Sequence, residues 1–394
     1  MELISPTVII ILGCVALLIL IKWKNLREPP CIRGWIPWIG AGFEFGKAPL
    51  EFVEKARIKY GPIFTVFAMG IRMTFVTEEE GVNVFLKSKD VDFELAVQNP
   101  VYRTASIPKN IFLKLHEKLY IVMKGKMGAF NLYQFTEQLS EGLHGQLENL
   151  GAHGTMDLNN LVRHLLYPVT VNALFKKGLF PTNEKKIKEF HQHFQVYDEG
   201  FEYASQIPEY LLRNWSKSKR WLLAFLEKNI PEIKTHKSTK DNSMTLMQAL
   251  LDIIEMESDK RNGPKYGLLL LWASLTNAVS NYTVPPGDLL MLSPFWLHRN
   301  PKYFPEPELF KPERWKKAKL DKYAFLDYFL AFGSGKYQCP GRWLALLEIQ
   351  ICIILIFYKY DCSLLDPVPK QSSLHSVGVQ QPEEQCRMVF NQRK

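Results

Sequence analysis

The stretch from Phe332 to Arg342, FGSGKYQCPGR, constrains this chain more than any other, because it sets one cysteine, Cys339, at the entrance of a long apolar run. Gly333 and Gly335 allow tight backbone turns that a Cβ would forbid. Pro340 sits where a helix entry tolerates proline, and the apolar run Arg342 to Phe357 predicts a helix. The free N–H groups and positive dipole end of such a helix favour a thiolate, the form of cysteine that ligates metals. A lone cysteine is by default a small buried hydrophobe. Here the F-x-x-G-x-x-x-C-x-G spacing, followed at once by an apolar helix, speaks against that default.

The ligand that fits this spacing is haem iron. Phe332 would cover the sulfur side of a flat cofactor, Gly335 would turn the loop, Gly341 would let the backbone approach, and Cys339 would hold the metal. A thiolate donates electron density through iron and favours cleavage of the O–O bond of bound dioxygen, which links the loop to oxygen activation. The other five cysteines lie far apart and form no C-x-x-C pair, so neither a disulfide framework nor a zinc site is indicated. The nine histidines form no cluster. His191 and His193, two apart on a predicted helix, point in different directions and are expected to be solvated.

Leu3 to Ile21 is a run without charge, about as long as a helix needs to cross a bilayer of roughly 30 Å. Lys22, Lys24 and Arg27 follow it, which predicts a retained anchor over 1–22 with the bulk of the chain cytosolic. Pro29-Pro30, Gly34, Pro37 and Gly40 then make residues 23–49 a stiff spacer. The formal charge of +9 is spread singly and in short pairs rather than as a basic arm. That distribution argues against nucleic acid and suits anionic lipid head groups or an acidic protein partner.

Residues 50–394 read as one mainly α domain with small β-sheets. A helix over Leu50 to Lys59 is stopped by Tyr60-Gly61-Pro62, and Ile63 to Phe67 and Met73 to Val76 predict a hairpin around Gly70. From Glu78 to Ile254 the pattern is amphipathic helix, broken by polar loops at Gly151 to Gly154, Pro181 to Glu184 and Lys237 to Ser243. Phe201 to Leu226 reads as an amphipathic core helix, with a membrane-interface helix as the alternative. YGLLLLWASLTNA, from Tyr266 to Ala278, is apolar nearly all round and predicts a buried helix. Within a few residues Tyr282 to Gly287 reads as a strand entering a turn, so that helix stops early. The tail from Asp366 to Pro382 reads equally as a hairpin or a surface loop.

At the cysteine loop the chain resembles the cytochrome P-450 family. Pro29-Pro30 resembles its proline-rich hinge, Lys59 to Phe64 its first sheet, and HRNPKYFPEPELFKPERW, from His298 to Trp315, its stretch before the haem loop. Within the family, Tyr337 in place of the usual arginine and the WAS-x-x-N of Trp272, Ala273, Ser274 and Asn277 resemble the clade of sterol 7α-hydroxylases and prostacyclin synthase. Within that clade the chain resembles the oxysterol 7α-hydroxylases. The resemblance implies a P-450 fold, haem b with iron, and dioxygen as co-substrate. It further implies NADPH electrons delivered by a cytochrome reductase, a sterol or oxysterol substrate, and an endoplasmic reticulum membrane. It places Asn277 over the iron as a catalytic residue.

One departure stands out. The resemblance would carry the central helix past Asn277 and on through further helices to an E-x-x-R motif, none of which is present; this implies an internal deletion near 278–282. Glu54 to Arg57 and Glu384 to Arg387 have the spacing by chance. Arg314 resembles the arginine that completes a buried network with the missing pair, and stripping partners from such a network costs about 3–5 kcal/mol. A steroid monooxygenase is therefore set against two alternatives, an inactive shortened form with impaired haem binding and a haem-dependent lipid peroxide isomerase.

Overall fold

The computed structural model describes residues 28–78, 81, 82, 88, 91–235, 244–276, 289–292, 294–316, 329–370, 372 and 382–393. The predicted anchor over 1–22, Asn277, the strand read at 282–287, the apparent deletion near 278–282 and most of the 366–382 tail lie outside them. Among the described residues no helix is long and apolar enough to cross a membrane.

Strands β1 (Cys31–Ile32), β2 (Ile63–Ala68), β3 (Ile71–Val76), β4 (His153–Asp157), β5 (Leu289–Leu292), β6 (Tyr360–Leu364) and β7 (Arg387–Gln392) form two sheets. The first runs β1-β2-β3-β5, with β2 and β3 as the predicted hairpin, in register from Ile63 opposite Val76 to Ala68 opposite Ile71. Met69 and Gly70 both have positive φ, 52° and 78°, the turn whose twist matches the strands it joins. Inside the hairpin Thr65 and Thr74 face each other and share a 2.8 Å hydroxyl hydrogen bond, so two buried polar groups satisfy one another. Parallel pairing of β5 with β3 brings the chain back to this sheet.

The second sheet, β4-β7-β6, corrects the loop read at Gly151 to Gly154. His153 and Gly154 begin a strand because their partners, Asn391 and Phe390, lie at the far end of the chain. No local pattern announces such a pairing.

Helices supply the rest: α1 (Gly42–Lys47), α2 (Pro49–Tyr60), α3 (Phe93–Ala105), α4 (Lys109–Lys126), α5 (Tyr133–Asn149), α6 (Leu158–Leu174), α7 (Glu184–Glu199), α8 (Phe201–Gln206), α9 (Arg213–Thr235), α10 (Leu246–Glu257), α11 (Gly263–Thr276), α12 (Pro294–His298), α13 (Glu313–Lys316) and α14 (Arg342–Lys359). Side-chain caps fix several starts. Asp157 accepts from Asn160 N–H, Asn183 from Lys185 N–H, and Thr245 with Gln248 forms a reciprocal capping box. The stretch read as one helix from Phe201 to Leu226 is two, α8 and α9, with a short turn at Glu209–Leu211 between them; α9 buries Trp215, Leu222, Leu226, Ile230 and Ile233, which supports the core reading.

The main core joins helices α3 to α11 with α14, through side chains such as Phe112, Leu139, Leu165, Phe194, Leu251 and Leu268. The histidines of α7 are not the solvated residues expected. His191 packs at a tilt against Tyr167 at 5.4 Å and His193 stacks on Trp221 at 4.6 Å, because α7 is wedged between neighbours on both flanks.

Candidate functional site

The cysteine loop is held by its own backbone. Gly333 and Gly335 take positive φ, 68° and 74°, as the turns demand. Cys339 N–H donates to Phe332 O at 2.9 Å, closing the loop at its base, and the Gln338 side-chain amide reaches Gly333 O at 3.3 Å. Gly341 is the N-cap of α14, so the sulfur stands at that helix's free N–H groups, as predicted.

Aromatic rings brace the loop from outside. Tyr337 packs against Phe93 at 5.1 Å, His116 at 4.9 Å and Tyr120 at 5.4 Å between ring centres. The Tyr120 hydroxyl donates to Gln338 O at 2.7 Å, tying α4 to the loop. His116 Nδ1 lies 2.9 Å from Glu94 Oε1, and Lys336 pairs with Glu117 at 2.9 Å. Burial holds His116 below the usual histidine range, and the Glu94 hydrogen bond opposes that only in part. Sequence reasoning missed His116 and Tyr120, which lie on α4 more than 200 positions before the loop.

Burial pushes the Cys339 thiol up. Hydrogen bonds from Gly341 and Arg342 N–H and the charge of Arg342 pull it back without overcoming the desolvation. The helix start favours the thiolate, as expected, and burial opposes it. Burial is the larger effect, and the charge of a bound metal would favour the thiolate further.

Cys339 opens into a cavity of about 220 Å³. Met127, Leu270, Leu344 and Ala345 give it apolar walls, and Phe332 and Gly341 also line it. Ala273 and Ser274 of α11 also line it, whereas Trp272 turns away, stacking on Phe201 with ring centres 3.5 Å apart and donating from Nε1 to Asp198 at 3.2 Å. Leu270, Ala273 and Ser274 share one helix face by their spacing of three and four. At the cavity floor, the Thr170 hydroxyl donates to Glu348 at 3.0 Å. Full burial pushes this carboxyl up to about 7.

Three observations bear on whether an iron porphyrin fits. Among the described residues no three His, Cys, Asp or Glu side chains converge as a metal site, and a lone thiolate suits iron whose other donors come from a porphyrin. A Cβ on Gly341 would project beside Met127 Sδ at 3.8 Å and Cys339 Sγ at 4.0 Å, so the missing side chain leaves free the space next to the sulfur. The cavity is smaller than the roughly 300–1,000 Å³ usual for organic ligands. Met123 and Met127, unbranched and easily repacked, line the side that must give way. The donor set fits the group, and seating it requires that wall to shift.

Neither chance E-x-x-R stretch forms the missing network. Glu54 and Arg57 pair with each other at 2.8 Å within α2, and Trp296 also donates to Glu54. Arg387 pairs with Asp366 at 2.7 Å. Arg314 instead donates to the carbonyls of Pro305, Glu306 and Leu309 at 2.9–3.2 Å, pinning the loop before α13.

Comparison with known proteins agrees with this geometry. Residues 29–269 and 273–390 match the Cytochrome P450 family, with a short interruption inside α11. The chain is 67% identical to the 24-hydroxycholesterol 7-alpha-hydroxylase of Homo sapiens, with all of both chains covered. It is 58% identical to the protein of that name from Mus musculus, covering all of this chain and 99% of the other. The human alignment runs over 468 positions against 394 residues here, so at least 74 positions of the relative face no residue of this chain. A solved structure, retinoic acid-bound cyanobacterial CYP120A1, superposes with a TM-score of 0.72 at 16% identity, covering 94% of this chain and 100% of that one, which speaks to the fold.

Proposed function

The chain belongs to the cytochrome P450 family, and from that premise we propose that it is a haem-dependent monooxygenase that hydroxylates an oxysterol of the 24-hydroxycholesterol type at its 7α position. The family's cofactor is haem iron, with dioxygen as co-substrate and electrons from NADPH through a reductase. The observation that carries the reading is Cys339: a thiol at a helix start, facing an apolar cavity, in a chain 67% identical to a named oxysterol hydroxylase. Neither the inactive form nor the peroxide isomerase is favoured by those relatives.

When bound, the haem would supply oxygen activation, with Cys339 as the iron's protein ligand. The remaining roles fall to this chain. Gly341 and Arg342 direct N–H groups at the sulfur and steady it as it gives up its proton. Gly333 and Gly335 turn the loop, and Phe332 would cover the sulfur side of the bound group. Leu270, Ala273, Leu344 and Ala345 exclude water, which strengthens every electrostatic interaction within. The Ser274 hydroxyl is engaged with Leu271 O at 3.0 Å and is not free to serve oxygen. Asn277 follows Ala273 and Ser274 by four and three positions; we assign it a polar role in the haem pocket, where its amide would hydrogen-bond dioxygen or a substrate hydroxyl.

The apolar run Leu3 to Ile21 with Lys22, Lys24 and Arg27 behind it supports a single anchor in the endoplasmic reticulum membrane, the domain facing the cytosol. The net charge of +9 suits an acidic reductase and anionic lipid. The test is spectroscopy and turnover on the membrane fraction. Reduced protein with carbon monoxide is expected to show the red-shifted Soret band of thiolate-bound haem. It should also convert 24-hydroxycholesterol only with NADPH and reductase. Cys339→Ser should lose the band; a spectrum without haem in the unsubstituted chain, or turnover without NADPH, overturns the reading.

A further inference from the structure

A second cavity lies between α7 and α9, about 420 Å³ in volume, within the range usual for organic ligands and larger than the one at Cys339. The two share no lining residue. On α9, Trp221, Phe225 and Lys228 follow one another by four and three positions and so stand on one face of the helix. On α7, Lys186 and Glu189 line the cavity three positions apart. Leu179 and Pro181 add apolar surface from the loop between α6 and α7.

One wall is aromatic and rigid. The Trp221 and Phe225 rings are parallel to within 5°, with centres 5.8 Å apart, and both pack edge-on against the fully buried Phe190. His193 stacks on Trp221 at 4.6 Å, and Trp221 Nε1 donates to Glu189 at 3.0 Å, so the indole is fixed in place. Both rings stay only partly buried. Rings so held give a flat apolar body a surface that is already ordered, which lowers the cost of binding it.

The charges of the cleft are unequal, two lysines against one glutamate. Glu189 is engaged by the indole, and Glu232, four positions on from Lys228, pairs with Lys176 at 2.8 Å. Among the described residues neither Lys186 nor Lys228 is paired with a carboxylate. Single exposed lysines are ordinary. Here one from each helix lines the same aromatic cleft, and apolar walls with an excess of one charge concentrate the opposite ion.

We infer that this cleft binds an amphiphilic organic anion, with a flat apolar body laid on Trp221 and Phe225 and a single anionic group held between Lys186 and Lys228. Such a site stands apart from Cys339 and does not depend on the hydroxylation reading.

The test uses the full chain in phosphatidylcholine nanodiscs, titrated with 1-pyrenebutyrate and with the uncharged 1-pyrenebutanol, binding to empty discs being subtracted. The acid is expected to bind saturably and about tenfold more tightly than the alcohol, as a charge-assisted contact allows. Lys186→Gln with Lys228→Gln, at exposed positions where substitution disturbs folding little, should weaken the acid about tenfold and leave the alcohol unchanged. As a second measurement, lysine acetylation by sulfosuccinimidyl acetate is followed residue by residue in a mass spectrometer. Pyrenebutyrate should slow it at Lys186 and Lys228 and not at the exposed Lys260. Equal binding of the acid by the double variant, or unchanged acetylation at both lysines, overturns the inference. Acid and alcohol bound alike assign the cleft to uncharged ligands, protection by inorganic sulfate alone assigns it to a simple anion, and protection only in discs containing phosphatidylserine assigns it to the membrane surface; each overturns the proposal.

Discussion

Thr170 on α6 and Glu348 on α14, 178 positions apart in sequence, are joined by a 3.0 Å hydrogen bond at the floor of the cysteine cavity. The carboxyl is fully buried, and its value of about 7 stands above the 4.5 of an open glutamate. Between these limits the native state keeps a proton that the unfolded chain releases, so stability falls as pH rises. The contribution is complete below about pH 4.5 and gone above about pH 7, on the order of 3 kcal/mol across the window. Glu348→Gln should flatten that fall while keeping the Thr170 bond. Urea unfolding of both proteins from pH 4.5 to 7.5 checks it, and parallel curves for the two would contradict it.

Tyr120 ties α4 to the cysteine loop through Gln338 O, with Tyr337 packed against its ring. Tyr120→Phe keeps the ring contact and removes the hydrogen bond, for an expected loss of about 1 kcal/mol. The loop should loosen locally, so alkylation of Cys339 is expected to accelerate while that of the buried Cys352 stays unchanged. Rates resolved by residue in a mass spectrometer distinguish loosening of the loop from general destabilisation.

Trp272 is a structural tie rather than a cavity residue. Its ring lies flat on Phe201, and its Nε1 donates to Asp198, so it fastens α11 to α7 and α8. Trp272→Ala should cost about 3–5 kcal/mol, as for other large aromatic truncations. Trp272→Phe keeps the stack and should cost less than half of that. Denaturant midpoints of the two variants give the comparison.

The loop around Cys339 was legible in sequence because its demands are local: glycine for positive φ, proline before a helix, and apolar residues beyond. The hairpin was legible for the same reason, through Gly70 and the alternating residues beside it. Strand β4 was not, because the residues that make it a strand sit more than 200 positions away in β7. Neither were His116 and Glu348. A histidine on an amphipathic helix and a glutamate in an apolar one announce nothing until the fold brings Tyr337 and Thr170 to them. The thiol shows the limit of local reasoning most plainly, since the helix start pulls in the predicted direction and burial prevails.

His191 offers the opposite pH sign to Glu348. Its Nε2 is buried without a hydrogen-bond partner, its ring lies among Tyr167, Phe180 and Phe190, and Arg163 and His164 face it from α6. Burial first, and then those neighbouring charges, lower it from 6.5 to about 4. The unfolded chain therefore takes up a proton that the native state refuses, and stability is lost as pH falls from about 6.5 towards 4. His191→Phe keeps an aromatic ring among its neighbours and removes the orphaned nitrogen. A gain of about 1 kcal/mol is expected at neutral pH, the usual penalty of an unmet buried polar atom. The gain should widen on acidification, because only the parent still has a proton to accept. Thermal melts at pH 7 and pH 5 decide the matter: a variant no more stable than its parent at either pH would mean that His191 is satisfied in solution.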